Sequence, residues 1–343
     1  MRVLYGVQGT GNGHITRARV MSKALSAAGI EVDYVFTGRP EGDYFDMECF
    51  ANRSYRRGLT FHTENGRVCH GKTLVGNNVL QFRKDVRSLR ANQYDLVLTD
   101  FEPVTAWACL KSKTPCLGIG HQYVFDYPVP QERPSLVTRQ IYQHFAPVDD
   151  ALALHWHHYD SAILPPIVEV HNGSTQLKKD SVLVYLPLEC QQQVEELLSP
   201  FEAHQFIVYT ASGKTSQHPH ITFKTLSRNG FQADLKLCEY VIANAGFELS
   251  SEALSLGKKL LVRPLKGQSE QQSNALALIS LTYGQAMQEL NAEVVARFFN
   301  ESQSTQITYP NVADYIAQWI AKGMPKRTPS WYQKCWQSVV INR

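Results

Sequence analysis

Two glycine-containing segments of this 343-residue sequence could hold and process an anionic substrate. The first is residues 9–14, Gly-Thr-Gly-Asn-Gly-His, between a predicted strand and a predicted helix. Glycines at such a turn let backbone N–H groups approach a phosphate, and the helix N-terminus points at the same anion. A neutral imidazole is available near pH 7, so His14 could accept a proton there. Alone, this loop is a weak signal, because a strand-to-helix turn without a ligand can have the same glycines.

The first loop departs from the dinucleotide-binding pattern Gly-x-Gly-x-x-Gly. His14 replaces the last glycine, and Thr37-Gly38-Arg39 stands where an acidic residue would hold a ribose. An NADP-dependent oxidoreductase, suggested by the loop and Arg39, is therefore the weakest of the functions considered. It also leaves the second segment unexplained.

The second segment runs from residue 240 to residue 275. A predicted strand, Tyr240–Ala243, leads into the loop Asn244–Phe247, and the helix after the loop carries Glu252. After a further strand, Glu270–Ala275 opens another helix with the sequence Glu-Gln-Gln-Ser-Asn-Ala. A helix N-terminus suits a diphosphate, and one carboxylate can accept hydrogen bonds from both hydroxyls of a ribose.

The two segments together resemble the GT-B glycosyltransferases. The resemblance is closest to the branch that contains the peptidoglycan transferase MurG and the UDP-glucuronosyltransferase-like enzymes, and within it to a little-characterised bacterial and archaeal group. It implies an enzyme that takes a sugar from a nucleotide diphosphate, most readily UDP, and needs no cofactor besides this donor. Glu252 matches the ribose-binding glutamate of the family, and Glu270 and Gln271 match the pair that holds the donor sugar.

The resemblance implies that residues of both segments bind the donor and that Phe223 contacts its pyrimidine ring. Glu248 departs from the pattern, because relatives carry a small hydroxyl residue there, and a carboxylate would repel a diphosphate unless it points away. The implied donor-binding residues are Gly11, Asn12, Gly13, Phe223, Asn244, Gly246, Phe247, Ser250, Ser251, Glu252, Gln268, Glu270 and Gln271.

Transfer in this branch proceeds with inversion, which needs a base for the acceptor hydroxyl. His14 stands at the matching position, while Asp100 and Glu102 are rival bases after a predicted strand. His121 and Gln122 follow the next strand and occupy the same kind of position. The sequence shows no metal motif; the three histidines within residues 155–158 lack acidic partners and indicate a surface or interface cluster.

These residues need a framework of alternating strands and helices, and the hydrophobic pattern provides one. Strand-length apolar runs alternate with amphipathic stretches, break at Pro165-Pro166 and then resume. The predicted strands include Cys116–Gly120 and Lys259–Arg263, and the first predicted helix runs from Ile15 to Ala28. We therefore predict an α/β protein of the GT-B type, with two Rossmann-like domains facing across a cleft. The acceptor-side domain covers residues 1–165, the donor domain 166–311, and a helix in 312–343 crosses back to the first domain.

Composition limits the remaining possibilities. Hydrophobic residues make up 43% and charged residues 19%, which excludes a disordered chain, and a net charge of +3 gives no reason to expect nucleic-acid binding. No apolar run has the length of a membrane span, no export signal is recognised, and seven unpaired cysteines fit a cytoplasmic protein. Residues 53–90 carry nine Arg or Lys against two acids. This stretch predicts either peripheral contact with an anionic membrane at its inner face or a solvated helix face.

Two other functions fit the resemblance. A nucleotide-sugar 2-epimerase would act on the donor without an acceptor, and a non-catalytic subunit would only bind the donor. The acceptor itself is open between a lipid-linked molecule, a glycan and a small molecule.

Overall fold

The structure is a computed structural model that describes residues 1–60, 63–64, 67–68, 77–133, 140, 143–169, 176–211 and 213–343. Its two parallel sheets confirm the predicted pair of Rossmann-like α/β domains. Among the described residues, no helix is long and apolar enough to cross a bilayer.

The first domain is built on seven parallel strands in the order β3-β2-β1-β4-β5-β6-β7. Both faces of the central strand are covered: Tyr5 and Val7 face the α1 side, and Leu4 faces the α3 side. This explains why the strand reads as a continuous apolar run. The strands are β1 (Arg2–Gln8), β2 (Glu31–Thr37), β3 (Asn52–Tyr55), β4 (Leu96–Asp100), β5 (Cys116–Gly120), β6 (Asp150–Leu154) and β7 (Ile163–Leu164).

Within the described residues, three helices flank the first sheet. α1 ends before Gly29, whose φ of +72° lies in the left-handed region that glycine adopts without strain. Two further strands of two residues each, Thr63–Glu64 and Arg67–Val68, pair antiparallel. The helices are α1 (Asn12–Ala27), α2 (Val79–Ser88) and α3 (Pro103–Ser112).

The second domain repeats the arrangement with six parallel strands in the order β10-β9-β8-β11-β12-β13. Its strands are β8 (Ser181–Tyr185), β9 (Gln205–Thr210), β10 (Ile221–Thr225), β11 (Tyr240–Asn244), β12 (Lys259–Arg263) and β13 (Gln285–Ala286). Its helices are α4 (Gln191–Leu198), α5 (Arg228–Leu237), α6 (Phe247–Ser255), α7 (Ser269–Ser280) and α8 (Ala292–Glu301). In both sheets, the strand order reverses beside the first strand, where α/β proteins bind ligands.

The C-terminal part returns to the first domain, but it is not one helix. α9 (Val312–Ala321) packs on α1, and α10 (Pro329–Trp336) packs on β7. The helical run stops because Gly323 and Met324 both have positive φ and Pro325 follows. The last strand, β15 (Val340–Asn342), then pairs antiparallel with β14 (Gln306–Thr308).

Candidate functional site

The Gly-rich loop lies between β1 and α1, as predicted. Gly9 is required by space, because a Cβ there would meet the Tyr44 hydroxyl at 2.1 Å and the Thr37 carbonyl at 2.7 Å. α1 has no side-chain cap, so the N–H groups of its first turn are open to a ligand. Gly11 has no atom within 4 Å of its Cβ position, which leaves this approach unobstructed.

The structure brings two of the three predicted bases together. His14 lies in the first turn of α1, and Asp100 ends β4. Nδ1 of His14 lies 2.6 Å from Oδ1 of Asp100. Burial alone would raise the pKa of Asp100, but Arg17 and His14 outweigh it and hold that pKa below its ordinary value. An ionised Asp100 accepts the Nδ1–H, which leaves Nε2 of His14 as the proton acceptor.

Arg17 completes this cluster, and the sequence analysis missed it. The guanidinium is 1% exposed and donates through Nε to Oδ2 of Asp100 at 2.7 Å. It also forms an ion pair with Glu248 of the second domain. A usable signal existed, since residues three apart share a helix face and Arg17 follows His14 at that spacing.

Glu102, the third predicted base, has a structural role instead. Its fully buried carboxylate caps α3 and accepts from the backbone N–H groups of Val104 and Thr105, both at 2.7 Å. It also accepts from the Thr37 hydroxyl at 2.9 Å and the Thr105 hydroxyl at 2.6 Å. With its lone pairs used and no exposed atom surface, Glu102 cannot serve as the base.

A cavity of about 450 Å³ lies between the domains and joins the two sequence segments. The second domain contributes the loop after β11, the loop after β12 and the start of α7. The cavity is lined by most of the predicted site residues: Gly11, Asn12, Gly13, His14, Asn244, Gly246, Phe247, Gln268, Glu270 and Gln271. Arg17, Arg39, Gln122 and Glu248 also line it.

The loop after β11 forms one wall. Asn244 donates to the Arg263 carbonyl at 3.1 Å, and its Oδ1 has no partner among the described residues. The Phe247 ring stacks on His121 of the first domain with centroids 4.0 Å apart. Both ring nitrogens of His121 are engaged within the protein, Nδ1 at 2.9 Å from the Leu154 carbonyl oxygen and Nε2 at 2.6 Å from Oδ1 of Asn274, so neither is left to take a proton from a substrate.

The start of α7 forms a further part of the cavity lining. Gln122 of the first domain donates to both carboxylate oxygens of Glu270, at 3.1 and 3.2 Å. Gln271 accepts from the Leu265 N–H at 3.0 Å, and Gln268 is the N-cap residue of the helix. Glu270 is thus oriented in the cavity while lone pairs remain for hydroxyl donors.

Glu252 lines a second, smaller cavity of about 110 Å³. Tyr185 and Glu248 line both cavities, so the two adjoin. Burial raises the pKa of Glu252 to about 7, although its hydrogen bond from Gln232 opposes this shift. The ring of Phe231 also lines this cavity, 5.3 Å from that of Tyr185.

Three predicted donor-binding residues lie elsewhere. Phe223 is on β10, beneath Lys214 and against the core of the second domain, and lines neither cavity. Ser250 and Ser251 are buried within α6, where Ser251 donates to the Phe247 carbonyl and accepts from Trp156. The helix periodicity turns these hydroxyls towards the protein interior, which the sequence motif alone does not reveal.

A metal site would need several His, Cys, Asp or Glu side chains close together. No group of three or more such side chains in the described part of the chain is arranged to hold an ion. In the histidine cluster, His155 is buried, and the rings of His157 and His158 stack at 4.7 Å.

The chain is similar to several solved glycosyltransferases. SsfS6 from Streptomyces sp. SF2575, in complex with thymidine diphosphate, has a TM-score of 0.61 and 14% identity, covering 98% of this chain and 100% of that one. SnogD from Streptomyces nogalater has a TM-score of 0.54 and 16% identity, covering 98% and 99%. The spinosyn forosaminyltransferase SpnP has a TM-score of 0.59 and 12% identity, covering 98% of each.

These likenesses identify the fold as GT-B, as predicted. No curated protein shows significant sequence similarity to the chain. The assignment to the MurG branch stays a prediction. The family model described as glycosyl transferase family 1 matches residues 1–302. Because this match covers most of the sequence, the chain belongs to glycosyl transferase family 1 and is a glycosyltransferase.

Proposed function

We propose that the protein transfers a sugar from a UDP-sugar to an acceptor hydroxyl, with inversion and without a metal ion. The observation that carries this proposal is the His14–Asp100 pair beside a cavity that His14 and Glu270 both line. A base on the acceptor side and hydroxyl-binding groups on the donor side are what a direct displacement needs.

The reaction proposed is a single displacement. Nε2 of His14 removes the acceptor proton, and the acceptor oxygen attacks the anomeric carbon as its bond to the diphosphate breaks. Asp100 stabilises the imidazolium that forms, in the way that a carboxylate supports a catalytic histidine elsewhere. The leaving diphosphate is met by the open N–H groups of the Gly-rich loop and by the helix N-termini around the cavity.

The nucleoside is assigned to the smaller cavity beside Glu252. SsfS6 and the rhamnosyltransferase SpnG have been solved with thymidine diphosphate, which is also a pyrimidine nucleotide. Thymidine lacks the 2′-hydroxyl of uridine, so a glutamate that accepts from both ribose hydroxyls should prefer UDP. Phe231 and Tyr185, rather than Phe223, are then the aromatic side chains available to the base.

Thermal unfolding with matched nucleotides tests this assignment. Near pH 8, above the Glu252 pKa of about 7, the carboxylate is ionised. We expect UDP to bind roughly 10- to 100-fold more tightly than 2′-deoxy-UDP, since hydrogen bonds to charged groups contribute that much. Glu252→Ala should abolish the difference, whereas Glu301→Ala, on exposed α8 surface, should keep it. Equal binding of both nucleotides by the unmodified protein would contradict the assignment of the nucleoside site. Epimerisation of the donor in the absence of an acceptor would contradict the proposed transfer reaction.

We also propose that the first domain contacts an anionic membrane through an α2–α3 patch. Val79 and Phe82 lie one turn apart on α2, Phe82 meets Trp107 of α3 edge-on at 6.4 Å, and Leu110 lies one turn further. Val79 is 56%, Trp107 40% and Leu110 55% exposed. Apolar side chains exposed in a row mark a contact surface.

Cations surround this patch. Arg83, Lys84, Arg87 and Lys111 are exposed and form no ion pair within the described part of the chain. Asp85, the one acid of α2, is buried against Gly58 and Gln81. Such a surface is attracted to anionic lipid. Part of the predicted basic stretch, 61–62, 65–66 and 69–76, lies outside the described residues.

Vesicle sedimentation tests the membrane contact. The protein should pellet with phosphatidylglycerol-containing vesicles and not with neutral ones, because each cation near such a surface contributes about 1 kcal/mol. The double variant Arg83→Glu/Lys84→Glu should stay in the supernatant. Lys322→Glu/Lys326→Glu makes the same charge change on other exposed residues and should still pellet. Equal pelleting of both double variants would contradict the proposal.

A further inference from the structure

Glu248 lies in the donor domain, but its side chain belongs to the cluster of the first domain. It occupies the first turn of α6 and is 7% exposed. A Cβ on Gly13 would lie 3.0 Å from its Cγ, so the Gly-rich loop packs directly on this side chain. Its carboxylate forms an ion pair with Arg17. The carboxylate is therefore directed at Arg17 of the first domain.

A continuous chain of hydrogen bonds leads from Glu248 to the base. Arg17 donates to Glu248 through Nη1 and to Asp100 through Nε and Nη2. Asp100 in turn lies 2.6 Å from Nδ1 of His14. Nη2 of Arg17 also lies 3.2 Å from Nδ1 of His14. If Nη2 left Asp100 and donated to Nδ1 instead, the proton of the imidazole would move to Nε2.

We propose that Glu248 is a positioning residue for His14, acting through Arg17 and Asp100. The inference rests on the proposed role of His14 as the base. Glu248 holds Nη1 of the Arg17 guanidinium, and this keeps Nε and Nη2 hydrogen-bonded to Asp100. The base is then aligned only when the donor domain is docked against the first domain.

Other ionisable groups near Glu248 set its protonation. Arg17, Asp100, Glu252 and Tyr5 face this cluster, and burial raises the pKa of Glu248 to about 8 in spite of Arg17. Below that pH, a protonated Glu248 still offers a carbonyl oxygen to Arg17. A glutamine reproduces this state, whereas an alanine removes the acceptor.

Two variants and two readouts test the positioning role. In ¹⁵N NMR of histidine-labelled protein, we expect His14 to carry its proton on Nδ1 in the unmodified protein and in Glu248→Gln. Glu248→Ala should mix the tautomers and lower kcat for UDP release roughly 10- to 100-fold, as small misplacements of catalytic groups do. KM for the donor should change little. Glu195→Ala on α4 is the control: it breaks an ion pair with Lys214 and should leave both readouts unchanged.

Opposite results have clear meanings. An unchanged tautomer and kcat in Glu248→Ala would overturn the inference, and so would a lower donor KM at unchanged kcat, which would place Glu248 at the phosphates. If Glu248→Ala does not fold, Glu248→Met, which keeps the length of the side chain but removes the acceptor oxygen, takes its place in both readouts. A tautomer shift in Glu248→Ala, together with an unmodified protein that releases no UDP, would sink the proposed function while still showing that Glu248 orients the imidazole.

Discussion

Replacing His14 with alanine should lower the rate constant of sugar transfer by roughly 10²- to 10⁴-fold, the contribution typical of a general base. UDP binding should remain nearly unchanged, because the proposed nucleoside site is beside Glu252 and not beside the imidazole. The two quantities can be measured on the same sample, as UDP release by coupled assay and as the UDP-induced rise in unfolding temperature.

A surface histidine supplies the control for this result. His144→Ala removes an exposed imidazole from the same domain and should leave transfer unaffected. Full transfer by His14→Ala would exclude the imidazole as the base. Because Glu102 is fully buried and fully hydrogen-bonded, the role would then pass to Asp100.

The second large effect is expected for Asp100→Asn. The amide cannot replace the charge that stabilises the imidazolium, and a fall in kcat of roughly 10²- to 10⁴-fold follows from comparable catalytic pairs. The change also leaves the buried Arg17 with only Glu248 as an acidic partner. Breaking a buried ion pair costs about 3–5 kcal/mol, so the free energy of unfolding in urea should fall by a similar amount.

The double variant His14→Ala/Asp100→Asn tests whether the two side chains act as one catalytic unit. If His14 and Asp100 act as one unit, the double variant should lose little more activity than either single variant. Multiplicative losses would show that the carboxylate acts independently of the imidazole. An active Asp100→Asn variant of unchanged stability would contradict both parts of the prediction.

Much of the fold is predictable because parallel strands buried on both faces read as apolar runs. Cys116–Gly120 and Lys259–Arg263 are strands with the predicted bounds. α1 begins three residues before its predicted start at Ile15, since its first turn is polar and carries no hydrophobic periodicity. The edge strand Ile221–Thr225 was missed as a strand because its partly exposed residues include Thr and Lys.

The site was predictable where function depends on local order and not where it depends on long-range contacts. Glycine spacing marks the turn at His14, and a helix start marks Glu270. The partner of Glu248 is 231 positions away in Arg17, and no local pattern encodes that contact. Phe223 lines neither cavity for the same reason, because neighbouring strands and Lys214 decide its surroundings.

The course of the C-terminal chain restricts how the cleft can open. After β14, the polypeptide leaves the second domain, runs through α9 and α10, and comes back as β15. It is anchored on one side where Trp336 donates to the Ile163 carbonyl at 2.7 Å, and on the other by the β14–β15 ladder. Because this segment is held at both ends, pulling the two domains straight apart would require breaking either the β14–β15 ladder or the contacts of α9 and α10 with the first domain.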